Sequence, residues 1–203
     1  MFALVNKSDN SITKMLSGNQ GITIDGIQHP RAIYTLWTEA ERNAIGIYTV
    51  EIDNSKKKNE EWYTNTNITY AFSGGKVTGS YGNATAKAHA DTLYTAQDET
   101  DGLGTEGDVK VEGLKTKLIR TVKSQAAGIL TKTDWYVIRK TEEDTAIPSA
   151  ITTHRKAVRS KQAAMETSIT NASDTPALET LYTYTKQEDG SVTRPLGELP
   201  KLD

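Results

Sequence analysis

Residues 133–159 read TDWYVIRKTEEDTAIPSAITTHRKAVR, and this stretch decides the fold of the C-terminal half. Its first residues, Thr133 and Asp134, can accept hydrogen bonds from the free N–H groups at the start of a helix. Trp135 and Ile138 lie three residues apart, which places both side chains on one helix face. The pattern predicts a short, capped helix with Trp135 as a buried packing anchor.

Pro148 predicts where the next helix begins. Proline interrupts a helix from within but is tolerated in its first turn, so residues 145–148 are expected to form a corner. Beyond the corner, apolar residues recur at helical spacing, and basic residues occupy most of the remaining face. The apolar residues are Ile147, Ile151, Val158, Met165 and Ile169, and the basic residues are Arg155, Lys156, Arg159 and Lys161. We expect a helix whose exposed side is basic and includes Arg155 and Arg159.

An earlier helical pattern begins at Leu114. Its apolar residues Leu114, Leu118, Val122 and Ile129 form a stripe too narrow to stabilise an isolated helix. The helix must therefore pack on the helix after Pro148 or on a second copy of itself. We favour the first arrangement, a helical hairpin over residues 111–172 with its corner at the proline.

The N-terminal part, residues 1–94, predicts a small β-rich mixed unit. Apolar runs indicate strands at residues 2–5, 21–27 and 47–52, with Asp25 and Gly26 marking a turn. Thr38 and Glu41 have capping-box spacing, which predicts a helix over residues 38–45. Gly46 is expected to end this helix in the left-handed conformation.

A hairpin is predicted over residues 62–81. Every second residue from Trp62 to Phe72 is apolar or threonine, which indicates one extended strand with these side chains on one face. The pair Gly74-Gly75 predicts the turn, and residues 77–81 are the expected partner strand.

The remaining segments carry weaker signals. Residues 84–94 are alanine-rich and favour a short helix, whereas residues 95–110 are acidic and contain glycines, which predicts a flexible linker. Residues 173–203 are expected to form an extended tail, with a possible helix restarting near Pro176. The sequence as a whole predicts an α+β protein, with the β-rich unit first and the helical hairpin second.

Composition restricts the classes of function. The 203 residues include no cysteine, which excludes disulfides and thiolate chemistry and fits synthesis in a reducing cytoplasm. Apolar runs are far shorter than the roughly 20 residues of a membrane-spanning helix, and the chain begins without a signal-peptide pattern, so no membrane role is expected.

Charge is unevenly distributed along the chain. Residues 114–161 hold 11 Lys and Arg against 4 acidic residues, while the rest holds 13 against 22. Opposite charges can attract within a subunit or between neighbouring copies. A nucleic-acid-binding module that uses the basic helices is an alternative, but the sequence pI near 6.0 makes nucleic acid the less favoured partner.

Residues typical of catalysis or metal binding are scattered. His29, His89 and His154 lie in different segments, and none has a second ligand at metal-site spacing. Consecutive acidic residues, Glu142 to Asp144 among them, point in different directions on a helix and are normally solvated. We expect no enzymatic activity, no cofactor and no metal.

Two segments resemble proteins of tailed bacteriophages. The first is Thr133-Asp134-Trp135 through Arg139, an acidic spacer, Pro148, and the pair Arg155 and Arg159, which is similar to a segment of tail assembly chaperones and tail-fibre-associated proteins. The second is HPRAIYTLWTEAERNAIGIYTVEI, residues 29–52, which looks like a module near the start of many phage tail proteins. Together they cover 51 residues of the chain. The resemblance directs attention to a small set of docking residues: Trp37, Gly46, Trp135, Arg139, Pro148, Arg155 and Arg159.

The resemblance implies a structural protein of a phage particle, at the tail, baseplate or fibre attachment region. Such a protein is made in the host cytoplasm and remains in the virion. Its expected partners are other tail or baseplate proteins and symmetric copies of itself. A second hypothesis is a tail or tail-fibre assembly chaperone that is absent from the mature particle.

Overall fold

The computed structural model describes residues 1–202 and divides the chain into two compact units, Met1–Thr85 and a second unit from Ala86 onwards. Strands dominate the first unit and helices the second, so the predicted α+β class is confirmed. The boundary lies near residue 85, nine residues before the predicted one.

The first unit is built around a mixed five-stranded sheet. Its strands follow the spatial order β2-β1-β5-β8-β7, in which β5 and β8 are parallel and the other neighbours antiparallel. The elements are β1 (Phe2–Val5), β2 (Ile12–Leu16), β3 (Ile22–Ile24), β4 (Ile27–His29), α1 (Ile33–Leu36), α2 (Glu39–Ala44), β5 (Ile47–Asp53), β6 (Tyr63–Thr64), β7 (Thr69–Ser73), β8 (Lys76–Ser80) and β9 (Thr85–Ala86). Two short pairs, β3 with β4 and β6 with β9, complete the unit.

Strand β1 supplies both cores of this unit, because successive strand residues point to opposite faces. Ala3 and Val5 pack with Val77 on one side of the sheet. Phe2 and Leu4 pack on the other side against a second buried group, which contains Leu16, Ile33, Tyr34 and Ile47.

The capped helix is confirmed as α2. Thr38 Oγ1 accepts a hydrogen bond from the Glu41 N–H, and the Glu41 carboxylate accepts one from the Thr38 N–H. Gly46 follows the helix at φ +83°, the left-handed conformation expected of it. A side chain there would meet the Val5 carbonyl oxygen at 2.7 Å, so Gly46 is also required by close packing.

The hairpin over residues 62–81 is confirmed only in its second half. Strands β7 and β8 pair around Gly74 and Gly75, which both have positive φ. The predicted single strand from Trp62 to Phe72 is wrong, because β6 and β7 are separated by four residues. The Asn65 side chain bonds the backbone of Lys58, and Thr66 Oγ1 accepts from Gly82 N–H, so these polar side chains replace strand hydrogen bonds.

The second unit begins with a small module where the sequence predicted a helix and a linker. Its elements are β10 (Thr92–Leu93), α3 (Ala96–Thr100) and β11 (Val109–Val111), and β10 pairs with β11. Both predictions are therefore wrong. Thr95 and Asp98 form a capping box for α3, and Asp98 also pairs with Lys110 of β11 at 2.5 Å. These local polar contacts stabilise a segment that has almost no buried apolar side chains.

The helical hairpin is confirmed. Helix α4 (Leu114–Thr131) packs along α6 (Ser149–Asn171), and α5 (Asp134–Glu143) lies between them in sequence. The corner after α5 includes Asp144 in the left-handed conformation and ends at Pro148. The largest buried apolar side chains of the unit are Val122, Val158, Met165, Ile169 and Leu178.

The C-terminal segment is not the predicted extended tail, but the helix expected to restart near Pro176 is confirmed. Helix α7 (Thr175–Tyr182) begins at Asp174, whose side chain accepts from Ala177 N–H, and β12 (Thr185–Lys186) pairs with β13 (Val192–Thr193). Leu196 is buried, and its N–H donates to the Leu181 carbonyl. Burial of Leu196 and its backbone hydrogen bond to Leu181 tie the segment to the unit.

Candidate docking site on helix α5

Arg155 of α6 lies at the centre of a polar clamp that holds the start of α5. Its Nη1 donates to the Leu130 carbonyl at 2.8 Å and to Thr133 Oγ1 at 2.7 Å, and its Nη2 donates to the Asp134 carboxylate at 2.8 Å. We call Thr133, Asp134 and Arg155 the arginine clamp. It joins the end of α4, the start of α5 and the middle of α6.

The arginine clamp corrects the prediction that Arg155 lies on an exposed basic face. The residue is only 8% exposed. Ile151, Arg155 and Val158 are spaced four and three apart and are all buried, so Arg155 belongs to the apolar stripe of α6. The spacing was visible in the sequence, but its partners lie 21 to 25 residues away. An arginine is stable in such a position only when its donors are satisfied, as they are here.

Thr133 and Asp134 have a different role from the predicted one. Neither hydroxyl nor carboxylate caps α5 through a hydrogen bond to its backbone N–H groups. Both oxygens accept from Arg155 instead, and the Thr133 hydroxyl also bonds the Leu130 carbonyl at 3.0 Å. The motif therefore fixes the position of α5 through a side chain of α6.

Trp135 is not the predicted buried anchor. It is 49% exposed, Ile138 is 55% exposed, and α5 contains no buried residue. The Trp135 and Tyr136 rings stack with centroids 3.8 Å apart, and the Arg139 guanidinium lies 4.8 Å from the Trp135 centroid. The helix is held at its first turn by the clamp, so this aromatic side chain does not need to enter the core.

We call Trp135, Ile138 and Arg139 the α5 face, because their spacing of three and four residues places them on one side of the helix. Arg139 Nε is inaccessible to solvent and has no hydrogen-bond partner within residues 1–202. Tyr136, which stacks with this face, was missed by sequence reasoning, although an aromatic beside Trp135 was a visible signal. The face combines exposed apolar area, an aromatic stack and a positive charge.

The other predicted site residues do not join this face. Pro148 is exposed and immediately precedes α6, as its chemistry predicted, and Arg159 is exposed one turn beyond Arg155. In the first unit, Trp37 is half-buried against the core and makes an edge contact with His29 at 5.7 Å. Gly46 has the packing role described above. The structure thus groups Thr133 with Asp134 and Arg155, and Trp135 with Arg139.

Two general properties bear on the class of function. Within residues 1–202, the His, Asp and Glu side chains form no group of three or more that could hold a metal ion. Over the same residues, no helix combines the length and the apolar character needed to cross a membrane.

The chain matches no family model, no curated protein and no solved structure at a significant level.

Proposed function

We propose that this protein is a non-enzymatic structural component of a tailed-phage particle, at the tail, baseplate or fibre attachment region. The observation that carries the proposal is the division of the phage-like segment into two parts. Thr133, Asp134 and Arg155 hold α5 in place, and Trp135 and Arg139 are displayed on it. A motif with no catalytic residue then has a physical purpose, which is to present a rigid docking surface.

The composition of the α5 face suits protein binding. Tryptophan, tyrosine and arginine are the residues that contribute most to the energy of protein interfaces. The Trp135 ring is already stacked against Arg139, so little side-chain freedom is lost on binding. Arg139 favours a partner that offers a carboxylate beside an apolar surface. We infer that the partner is another tail or baseplate protein with an acidic, apolar patch.

Quantitative mass spectrometry of gradient-purified phage particles tests the location. We expect the wild-type chain in a fixed ratio to the major capsid protein, in small multiples of three or six, because tail structures are symmetric. The Trp135→Ala variant should fall well below this ratio. Val137→Ala is the matched control, because Val137 is 40% exposed on the opposite side of the same helix. Equal incorporation of both variants into particles would show that the α5 face is not the docking surface.

An assembly chaperone is the second candidate, and the exposed apolar side chains of α5 favour it specifically. A chaperone must display such a surface to cover an apolar region of its client before release. The same particle preparations decide between the two functions. Absence of the chain from particles, together with its presence in infected-cell lysate, would support the chaperone and contradict the structural role.

Nucleic acid is less favoured because several basic side chains of the helices already have partners. Arg155 is committed to the clamp, Lys123 pairs with Glu166 at 3.5 Å, and Lys140 pairs with Asp144 at 2.5 Å. Arg120 is bonded to Glu112. To bind phosphate, these basic side chains would have to give up their present ion pairs. That loss reduces the binding free energy gained from each phosphate contact.

A further inference from the structure

The second unit contains a cleft of about 1060 Å³ that borders the arginine clamp at Thr133 and includes no residue of the α5 face. It lies beside the C-terminal part of α4 and is closed on one side by the C-terminal segment. Its apolar lining residues are Ile129, Met165, Leu199 and Leu202, and its polar lining residues include Lys132, His154, Arg194 and Lys201. This size accommodates a few side chains of a protein partner.

His154 is the residue that points to an occupant. His154 is only 8% exposed and lines the cleft, and its nitrogens are not among the solvent-inaccessible atoms that lack a partner, so the ring is reached from the cleft. A neutral imidazole has one donor and one acceptor, which a bound partner can use in place of water. A partner in the cleft can satisfy this ring.

The charge of the cleft indicates what it attracts. Lys132 and Lys201 form no ion pair with any residue from 1 to 202, whereas Arg194 is paired with Glu198 at 2.8 Å. Counted over residues 1–202, the lining therefore carries two positive charges that have no ion-pair partner, beside an apolar floor. Such a surface selects an apolar side chain flanked by carboxylates.

The chain itself carries a surface of this kind, which we call the acidic knob, residues 98–108. Leu103 lies in the loop between α3 and β11, is 59% exposed and is flanked by Asp101 and Glu106. The loop is ordered by its own hydrogen bonds, from Leu103 N–H to the Asp98 carbonyl and from Gly107 N–H to the Tyr94 carbonyl. A rigid loop of this kind binds with a small loss of conformational entropy.

We propose that the acidic knob of one copy binds in the basic cleft of a second copy. Leu103 would contact the apolar floor, Asp101 and Glu106 would pair with Lys132 and Lys201, and His154 would bond a polar group of the knob. This inference deepens the proposed function, since it names a contact between the symmetric copies. Because it can be measured on the purified chain alone, its failure would leave the particle experiment unaffected.

Sedimentation velocity of the purified full chain tests the contact between about 1 and about 100 µM, a range suited to a micromolar Kd. We expect association that weakens at least tenfold when salt is raised from about 0.05 to about 0.5 M, because the pairs are partly screened. Leu103→Asp should abolish association. Leu36→Asp is the matched control, since Leu36 is an exposed leucine (79%) of the first unit, and it should associate like the wild type.

Charge-reversal variants of the cleft and of the acidic knob provide the decisive test of the contact. A chain with Lys132→Glu and Lys201→Glu and a chain with Asp101→Lys and Glu106→Lys should each fail to self-associate, and their mixture should associate again. His154→Phe, which replaces the imidazole with an apolar aromatic ring that cannot form hydrogen bonds, should weaken association about tenfold. A chain that stays monomeric at every concentration, or an association that survives both Leu103→Asp and cleft reversal, would overturn the proposal.

Discussion

At the scale of single residues, Arg155 connects three helices of the second unit through three hydrogen bonds. Replacement by methionine keeps much of the side-chain volume but leaves the buried Thr133 hydroxyl without its charged donor. We expect Arg155→Met to lower the free energy of unfolding by about 2–4 kcal/mol. Urea denaturation followed by circular dichroism measures this loss.

Arg159→Met is the control for that experiment. Arg159 is a basic residue of the same helix, one turn further on, but it is exposed and takes no part in the clamp. Its replacement should change the free energy of unfolding by less than about 0.5 kcal/mol. Similar losses for both variants would mean that the three hydrogen bonds of Arg155 do not stabilise the unit.

Alanine substitutions at Gly46 and Gly74 separate the destabilisation caused by backbone strain from that caused by a steric clash. Gly46→Ala adds a methyl group that would meet the Val5 carbonyl oxygen at 2.7 Å, in addition to the strain of φ +83°. Gly74→Ala shares the positive φ but its new methyl group meets no atom within 4 Å. We expect Gly74→Ala to destabilise by about 1 kcal/mol and Gly46→Ala by clearly more, as measured by thermal unfolding. Equal losses would show that the Val5 contact relaxes freely.

At the scale of elements, the ion pair between α3 and β11 predicts a specific response to acid. The hydrogen bond from Lys110 and those from Thr95 lower the pKa of Asp98 from 3.8 to about 2. Because the folded-state pKa lies below the unfolded one, the stabilisation is present above about pH 4 and is lost as the pH falls towards 2. The module of β10, α3 and β11 should therefore loosen in this window.

Lys110→Met tests that link directly. The pKa of Asp98 should rise towards 3.8, which NMR titration of its carboxyl carbon can follow. Lys56→Met removes an exposed lysine of the first unit, so it should leave the Asp98 titration unchanged. An Asp98 pKa that stays near 2 in Lys110→Met would show that the capping bonds from Thr95 suffice.

At the scale of the whole molecule, each unit has a buried core of its own. Ile33 belongs to the core of the first unit and Val158 to that of the second, and both are almost completely buried. Ile33→Ala deletes three buried side-chain carbons and Val158→Ala deletes two, so each variant should lose about 1–4 kcal/mol of unfolding free energy. Hydrogen exchange should show reduced protection mainly in residues 1–85 for the first variant and in residues 86–202 for the second. Loss spread evenly over both units in either variant would contradict separate cores.

Much of the fold followed from short-range patterns. The Thr38 and Glu41 capping box, Gly46 and the paired glycines at 74 and 75 depend on neighbours within a few residues, so the sequence was enough to place them. The hairpin of α4 and α6 followed from the periodic apolar stripes of two long helices. The acidic segment was mistaken for a linker because its order comes from the Asp98 and Lys110 pair, twelve residues apart, and not from apolar periodicity.

The sequence by itself determined the class of fold, the helix termini near Gly46 and Pro148, and the helical spacing within residues 133–159. Only the tertiary structure decided which side chains of that segment are buried. Helical spacing shows which residues share a face of a helix, but it does not show which face meets the core. The hydrogen bonds that Arg155 donates from α6 reach the end of α4 and the start of α5, so they join three different helices. Arg155 is therefore buried and Trp135 exposed, the reverse of what their hydrophobicity suggests, because a satisfied guanidinium at the junction fixes α5 without help from the tryptophan.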